Sequence, residues 1–159
     1  MLVCIKNDNH SYLLKIPLDE LDNIDITNKE EISEFLTKIK NKILPKNTKG
    51  TLYFDIYINE YYGMIIEVEK EDFSFFQNEI DIKIMFHLDS PILYKIDYFD
   101  IKKITKKNID IYYYKNNTYL NIKHQLSLYQ KQLLSELSTI VYNKEAYDII
   151  INAIKLESK

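Results

Sequence analysis

A chain of 159 residues suits one ordinary domain or two small ones. Apolar residues make up 46 %, enough for a real core and too many for a disordered chain. The net charge is −3 and arginine is absent, which makes the chain a poor candidate for bidentate, sequence-specific reading of DNA.

No apolar run approaches the roughly 18 residues needed to span a membrane. The start, Met1-Leu-Val-Cys-Ile-Lys6, lacks the basic-then-apolar pattern of a signal peptide. The single cysteine, Cys4, fits a reducing compartment, so a cytoplasmic location is expected. Charge is unevenly spread. Residues 51–100 hold eleven Asp/Glu and three Lys, a balance of −8, whereas residues 101–131 hold seven Lys and one Asp, a balance of +6. Such asymmetry points to two surfaces facing different partners, to two segments facing each other, or to ordinary solvated faces.

In chain order, Leu2–Lys6 and Ser11–Pro17 read as two strands around the polar turn Asn7–His10. Thr27-Asn28-Lys29-Glu30 has the spacing of a helix-capping box. Ile32, Phe35, Leu36, Ile39 and Ile43 then recur at helical spacing until Pro45. In Thr51–Ile58, Leu52, Phe54, Ile56 and Ile58 fall on one face of a strand. Past Gly63, Met64, Ile66 and Val68 alternate with Ile65, Glu67 and Glu69. One buried and one wet face is the antiparallel signature. Strands are expected next at Ile82–Phe86 and Ile92–Tyr98, then a short helix from Phe99 to Lys107. Ile109–Lys115 and Thr118–Ile122 form a hairpin about Asn116-Asn117, a pair that tolerates positive φ. A long helix follows with Leu126, Tyr129, Leu133, Leu137 and Ile140 on one face. The tail, Tyr147–Ile151, reads as a strand or part of a helix, with length and β-branching favouring the strand. The fold class is α+β. Two small antiparallel-sheet units are expected, ββαββ over residues 1–72 and βαββαβ over 81–159, with a short acidic join at 73–80.

Candidate chemistry is sparse. His10, His87 and His124 have no metal-ligand spacing with one another or with Cys4. Gly50 and Gly63 are the only glycines, so no Gly-rich phosphate loop is possible. The Asp19, Glu20, Asp22, Asp25 cluster lacks the glycine and terminal Glu of a calcium loop. No enzyme, metal or cofactor is expected. The residues that stand out are Lys102, Lys103, Lys106, Lys107 and Lys115 with Tyr112, Tyr113, Tyr114 and Tyr119, joined by Lys123. Lysines with interleaved aromatics suit single-stranded nucleic acid, or they suit a protein interface anchored by tyrosine. Alternation puts Tyr112 and Tyr114 on one face of their strand and Ile111, Tyr113 and Lys115 on the other. One set is expected to pack and the other to stay exposed.

The order of elements resembles that of MecA-type adaptors, negative regulators of competence that deliver substrates to the ClpC ATPase. Tyr94-Lys-Ile-Asp-Tyr-Phe-Asp-Ile-Lys-Lys-Ile104 is similar to that family's aromatic-acidic strand entering a short helix. Tyr112–Leu120 is similar to its Tyr-rich hairpin, Leu134-Ser-Glu-Leu137 to a step in its helix, and Ile149-Ile-Ile-Asn-Ala-Ile154 to its closing segment. The first half matches through Ile5-Lys-Asn7, Leu18-Asp-Glu-Leu21 and the hairpin ending Gly63–Lys70. The chain is atypically short for the family, whose members carry an acidic linker where the join here spans about Glu71 to Glu79. The resemblance implies a non-enzymatic adaptor, with the first unit gripping a client protein and the second docking on a Clp-type AAA+ ATPase for regulated proteolysis. It implies protein partners and no membrane. Two other readings stay open. One is a small acidic inhibitor or immunity-type protein on a basic target, and the other is RNA binding through residues 102–123.

Overall fold

In the computed structural model, residues 3–6, 11–21, 23–25, 27–43, 50–71, 80–104 and 108–156 are described. The expected join at 73–80, the turn at Asn7–His10, and Lys106 and Lys107 lie outside them, save Ile80. The chain divides into two units, the first made of Met1–Ile58 and Gly63–Leu88, the second of Asn59–Tyr62 and Asp89–Lys159. The fold is α+β, with one five-stranded sheet in each unit. Among the described residues no helix is long and apolar enough to cross a membrane.

The first sheet contains β1 (Val3–Lys6), β2 (Ser11–Pro17), β3 (Gly50–Asn59), β4 (Gly63–Glu71) and β5 (Ile80–His87), in the order β1-β2-β4-β3-β5. Helix α1 (Lys29–Ile43) covers one face. Its Ile32, Leu36 and Ile39 meet Leu14 and Ile16 of β2, Leu52, Phe54, Ile56 and Ile58 of β3, and Met64, Ile66 and Val68 of β4. Each such side chain contributes roughly 1.5–3 kcal/mol by leaving water. The period-2 pattern of the β3–β4 hairpin is therefore realised, although Tyr57 and Ile65 on the opposite face are buried too. The helix start sits one residue beyond the Thr27 expected. Asn28 Oδ1 accepts from the Glu30 amide at 3.0 Å, and the Glu31 carboxylate accepts from Asn28 Nδ2 at 3.4 Å and from the Asp25 amide at 2.8 Å.

One strand changes units relative to the sequence-based division. β5 pairs with β3 in parallel, from Gly50↔Ile80 to Tyr57↔His87. It lends Ile82, Ile84 and Phe86 to the first core instead of opening the second unit. Its alternation would serve either sheet, so no local signal assigns it.

The second sheet is antiparallel throughout. It holds β6 (Leu93–Ile96), β7 (Ile109–Tyr114), β8 (Asn117–Ile122), β9 (Ser138–Val141) and β10 (Ile154–Leu156), ordered β10-β7-β8-β6-β9. A 3₁₀ helix, Tyr98–Lys103, follows β6. Helix α2 (Leu128–Leu137) starts at a capping box in which the Ser127 hydroxyl accepts from the Gln130 amide and the Gln130 side chain accepts from the Ser127 amide. It packs Leu133, Leu134 and Leu137 over Tyr94, Ile96, Ile109, Leu120 and Ile122. The long helix expected through Ile140 ends at Leu137, and Ile140 belongs to β9.

The tail is also corrected, because Tyr147–Ile151 lies in helix α3 (Lys144–Asn152), not in a strand. Asn143 caps it by accepting from the Glu145 amide at 3.1 Å. Ala146 and Ile149 then pack at helical spacing on Leu93, Tyr112 and Tyr119, the face opposite α2. Burial on that face outweighs the β-preference of three consecutive isoleucines.

The β7–β8 turn is centred on Lys115 (φ 46°) and Asn116 (φ 63°), flanked by the pair Tyr114↔Asn117, one residue earlier than expected. A lysine in the left-handed region costs about 1–2 kcal/mol. Its ammonium lies 5.1 Å from the Tyr114 ring centre, returning only about 0.5 kcal/mol at an exposed site. Lys115→Asn is therefore expected to raise unfolding stability by about 0.5–1 kcal/mol. An unchanged or lower urea midpoint would count against this account of the turn.

Candidate functional site

Both faces of the second sheet carry a helix, so the expectation of one wholly open tyrosine face is not met. Exposure is decided by position along the strands instead. The registers align Ile154 of β10, Tyr113 of β7, Thr118 of β8, Ile96 of β6 and Ser138 of β9 in one row across all five strands, on the α2 face. Ser138 is the residue at which α2 ends. The row lies at the margin of the helix's cover, and Tyr113 stays 41 % exposed and Ile154 exposed, while Thr118 and Ile96 are buried. Tyr112, one residue away, points to the α3 face and is only 8 % exposed.

The 3₁₀ helix supplies the wall. Asp97 accepts from the Phe99 amide at 2.9 Å and sets its first turn. With three residues per turn, Ile101 and Ile104 share the packed side and join the α2 core. Phe99 and Lys102 share the other. Phe99 is 78 % exposed and Tyr98 60 %, the two rings meeting edge to face at 6.1 Å. Tyr98, Phe99 and Tyr113, together with Ile96, Leu137, Asn116 and Ser138, line a groove of about 630 Å³. Lys95, Asp97 and Glu136 place charges of both signs around it. The Tyr113 hydroxyl reaches Asn116 Oδ1 at 3.2 Å.

The expected site residues are thus dispersed. Tyr113 lines the groove. Lys102 is exposed on the 3₁₀ helix, and Lys103 is tied to Asp100 at 2.6 Å, which raises its pKa. Lys115 is exposed at the turn, and Tyr114 is half-buried beneath it. Tyr112 and Tyr119 are core residues, and burial raises the Tyr119 pKa. Lys123 forms an ion pair with Asp110 at 2.6 Å, and Lys155 meets the same carboxylate at 3.0 Å. Two aromatics absent from the expected set, Tyr98 and Phe99, are the most exposed lining rings. Spacing alone does not find the pair, because the three-residue period that turns Phe99 and Lys102 outward puts Tyr98 on the same side as Ile101 and Ile104, yet Tyr98 is exposed.

Asp110 offers a test of that lysine neutralisation. Burial raises its pKa, but the hydrogen bonds and charges of Lys123 and Lys155 outweigh this and leave it lowered. A carboxylate lowered in the folded state stabilises above its unfolded pKa of about 3.9, and that stability fades as pH falls through the folded value. Asp110→Asn is expected to lower the urea midpoint at pH 7 and to match the parent near pH 2. An equal deficit at both pH values would show that charge is not the cause.

Other polar features are small or separate. Asp55 Oδ1 lies 3.0 Å from His87 Nε2, and His87 stacks on Tyr57 at 4.5 Å. His124 Nδ1 is buried without a hydrogen-bond partner among the described residues. It faces a cavity of about 10 Å³ lined by Asn59, Tyr62 and Tyr94, room for roughly one water. Burial pushes the Tyr62 pKa up to about 12 and raises that of Tyr94. Among the described residues no group of three or more His, Cys, Asp or Glu side chains could hold a metal ion.

Comparison of the chain with protein-family models, with curated proteins and with solved structures finds no match in any of the three.

Proposed function

We propose that the chain is a non-enzymatic, cytoplasmic adaptor of the MecA type, binding protein partners through the aromatic groove of its second unit. The observation that carries this reading is the groove itself. Three rings, Tyr98, Phe99 and Tyr113, stand in solvent beside a sheet whose two faces are otherwise packed. Exposed aromatics gathered around a concavity with a charged rim are the usual anchors of a protein interface. The resemblance names the partner, a Clp-type AAA+ ATPase, while the first unit would hold the client. Of the seven lysines in residues 101–131, Lys103 and Lys123 are paired locally with Asp100 and Asp110, which lowers the charge open to RNA and supports a protein as the partner.

A second reading has its own observation. On the first sheet's face away from α1, Glu69, Glu71 and Asp81 are exposed and Asp55 and Glu67 half-exposed, a surface suited to a basic target, as in an inhibitor or immunity-type protein. Calorimetric titration of the full chain with a purified Clp-type ATPase separates the two. Binding heat at tens of micromolar or below is the expected result. Its absence removes the adaptor and leaves the inhibitor.

A further inference from the structure

We propose that two copies of this chain associate by antiparallel pairing of their β5 strands, edge to edge, about a two-fold axis at Ile82. Among the described residues β5 is a terminal strand of its sheet, and at eight residues it is the longest of the four terminal strands. An edge of that length presents a row of backbone donors and acceptors to any chain able to pair with it.

The packing thins at this edge. Leu52, Phe54 and Ile56 of the neighbouring β3 are buried, whereas Ile82, Ile84 and Phe86 of β5, on the same α1 face, are only half-buried. A second β5 strand paired about Ile82 overlaps this one over residues 80–84 and would cover Ile82 and Ile84.

The charges choose the strand and the register. In a two-fold antiparallel pair, residues equidistant from the axis lie opposite each other on the same face. With the axis at Ile82, Asp81 of each copy lies opposite Lys83 of the other, giving two cross-strand ion pairs. Both side chains are exposed, on the face away from α1, where Lys83 Nζ lies 5.6 Å from the Tyr53 ring centre. Moving the axis to Asp81 or to Lys83 sets like charges against themselves. Moving it to Ile84 sets Lys83 against Met85 and Asp81 against His87, which Asp55 already engages. The Ile82 axis is the one that matches opposite charges twice while the apolar rows of both copies join on the α1 face.

Sedimentation equilibrium of the full chain tests this, with charge exchange as the probe. The parent is expected to dimerise at concentrations up to about 100 µM. Asp81→Lys and Lys83→Asp, each placing like charges opposite one another twice, are expected to weaken dimerisation about tenfold or more. The double exchange restores both pairs with reversed sense and is expected to return the constant to within about threefold of the parent. Both positions are exposed, and far-UV circular dichroism checks that the fold is kept. A monomeric parent overturns the proposal, as does a dimer indifferent to either single exchange or a double exchange that rescues nothing.

Discussion

Gly63→Ala is expected to unfold the first unit, or to leave it only marginally folded, at room temperature. Gly63 has a φ of +117°, a region that side-chain-bearing residues avoid, and such strain costs about 1–3 kcal/mol. An added Cβ would also lie 2.4 Å from the Ile16 carbonyl oxygen, 2.7 Å from the Leu18 amide nitrogen and 2.9 Å from the Pro17 carbonyl carbon. All three are backbone atoms, so no rotamer change relieves the overlap. They belong to β2 and the turn after it, where Pro17 is the register partner of Gly63. Relief requires β2 and β4 to part at that end, uncovering Ile16 and Met64, both fully buried. The total is several kcal/mol against the ~5–15 kcal/mol that holds an ordinary domain. Urea unfolding followed by circular dichroism reads the result directly. A midpoint equal to the parent's would show that β2 and β4 do not meet as described.

Phe99→Ala and Tyr113→Ala are each expected to weaken binding to the Clp-type ATPase by about 30-fold or more, the equivalent of ~2 kcal/mol at an interface anchor. Stability should barely change. Phe99 already stands 78 % in solvent, and Tyr113 lies at the margin of α2's cover. Tyr112→Ala provides the contrast. Its ring is buried between β7 and α3 with Leu93 and Ile149, so its loss is expected to destabilise the second unit by roughly 3–5 kcal/mol, as for other buried aromatics. Lys102→Ala should act on association rate and its salt dependence more than on the lifetime of the complex. Calorimetry and stopped-flow mixing with purified ATPase, beside thermal unfolding of each variant, separate the effects. Parent-like affinity in both Phe99→Ala and Tyr113→Ala would place the docking surface away from the groove.

The elements legible in the sequence are those whose signal is local. The β3–β4 hairpin follows from Leu52, Phe54, Ile56, Met64, Ile66 and Val68, because a period of two can bury only one way against α1. Helix α1 follows from Ile32, Leu36 and Ile39 in the same manner. Even near misses stayed close. The α1 cap moved one residue from Thr27 to Asn28, and the β7–β8 turn one residue back to Lys115, since adjacent polar residues compete for the same backbone groups.

Tertiary structure alone decided the rest. The strand at Ile82–Phe86 has one pattern for two available sheets, and only its pairing with β3 assigns it to the first. Tyr147–Ile151 is β-branched enough for a strand, yet Ala146 and Ile149 find a sheet face to cover and the segment coils. Alternation separated Tyr112 from Tyr113 but left open which of them packs. Helices on both faces make the distance from the end of α2 the deciding quantity, and that distance is a property of the register among five strands. For the same reason Tyr98 and Phe99 emerged as site residues only in three dimensions. Their exposure depends on where β6 ends and on Ile101 and Ile104 finding the α2 core, contacts made by residues far apart in the chain.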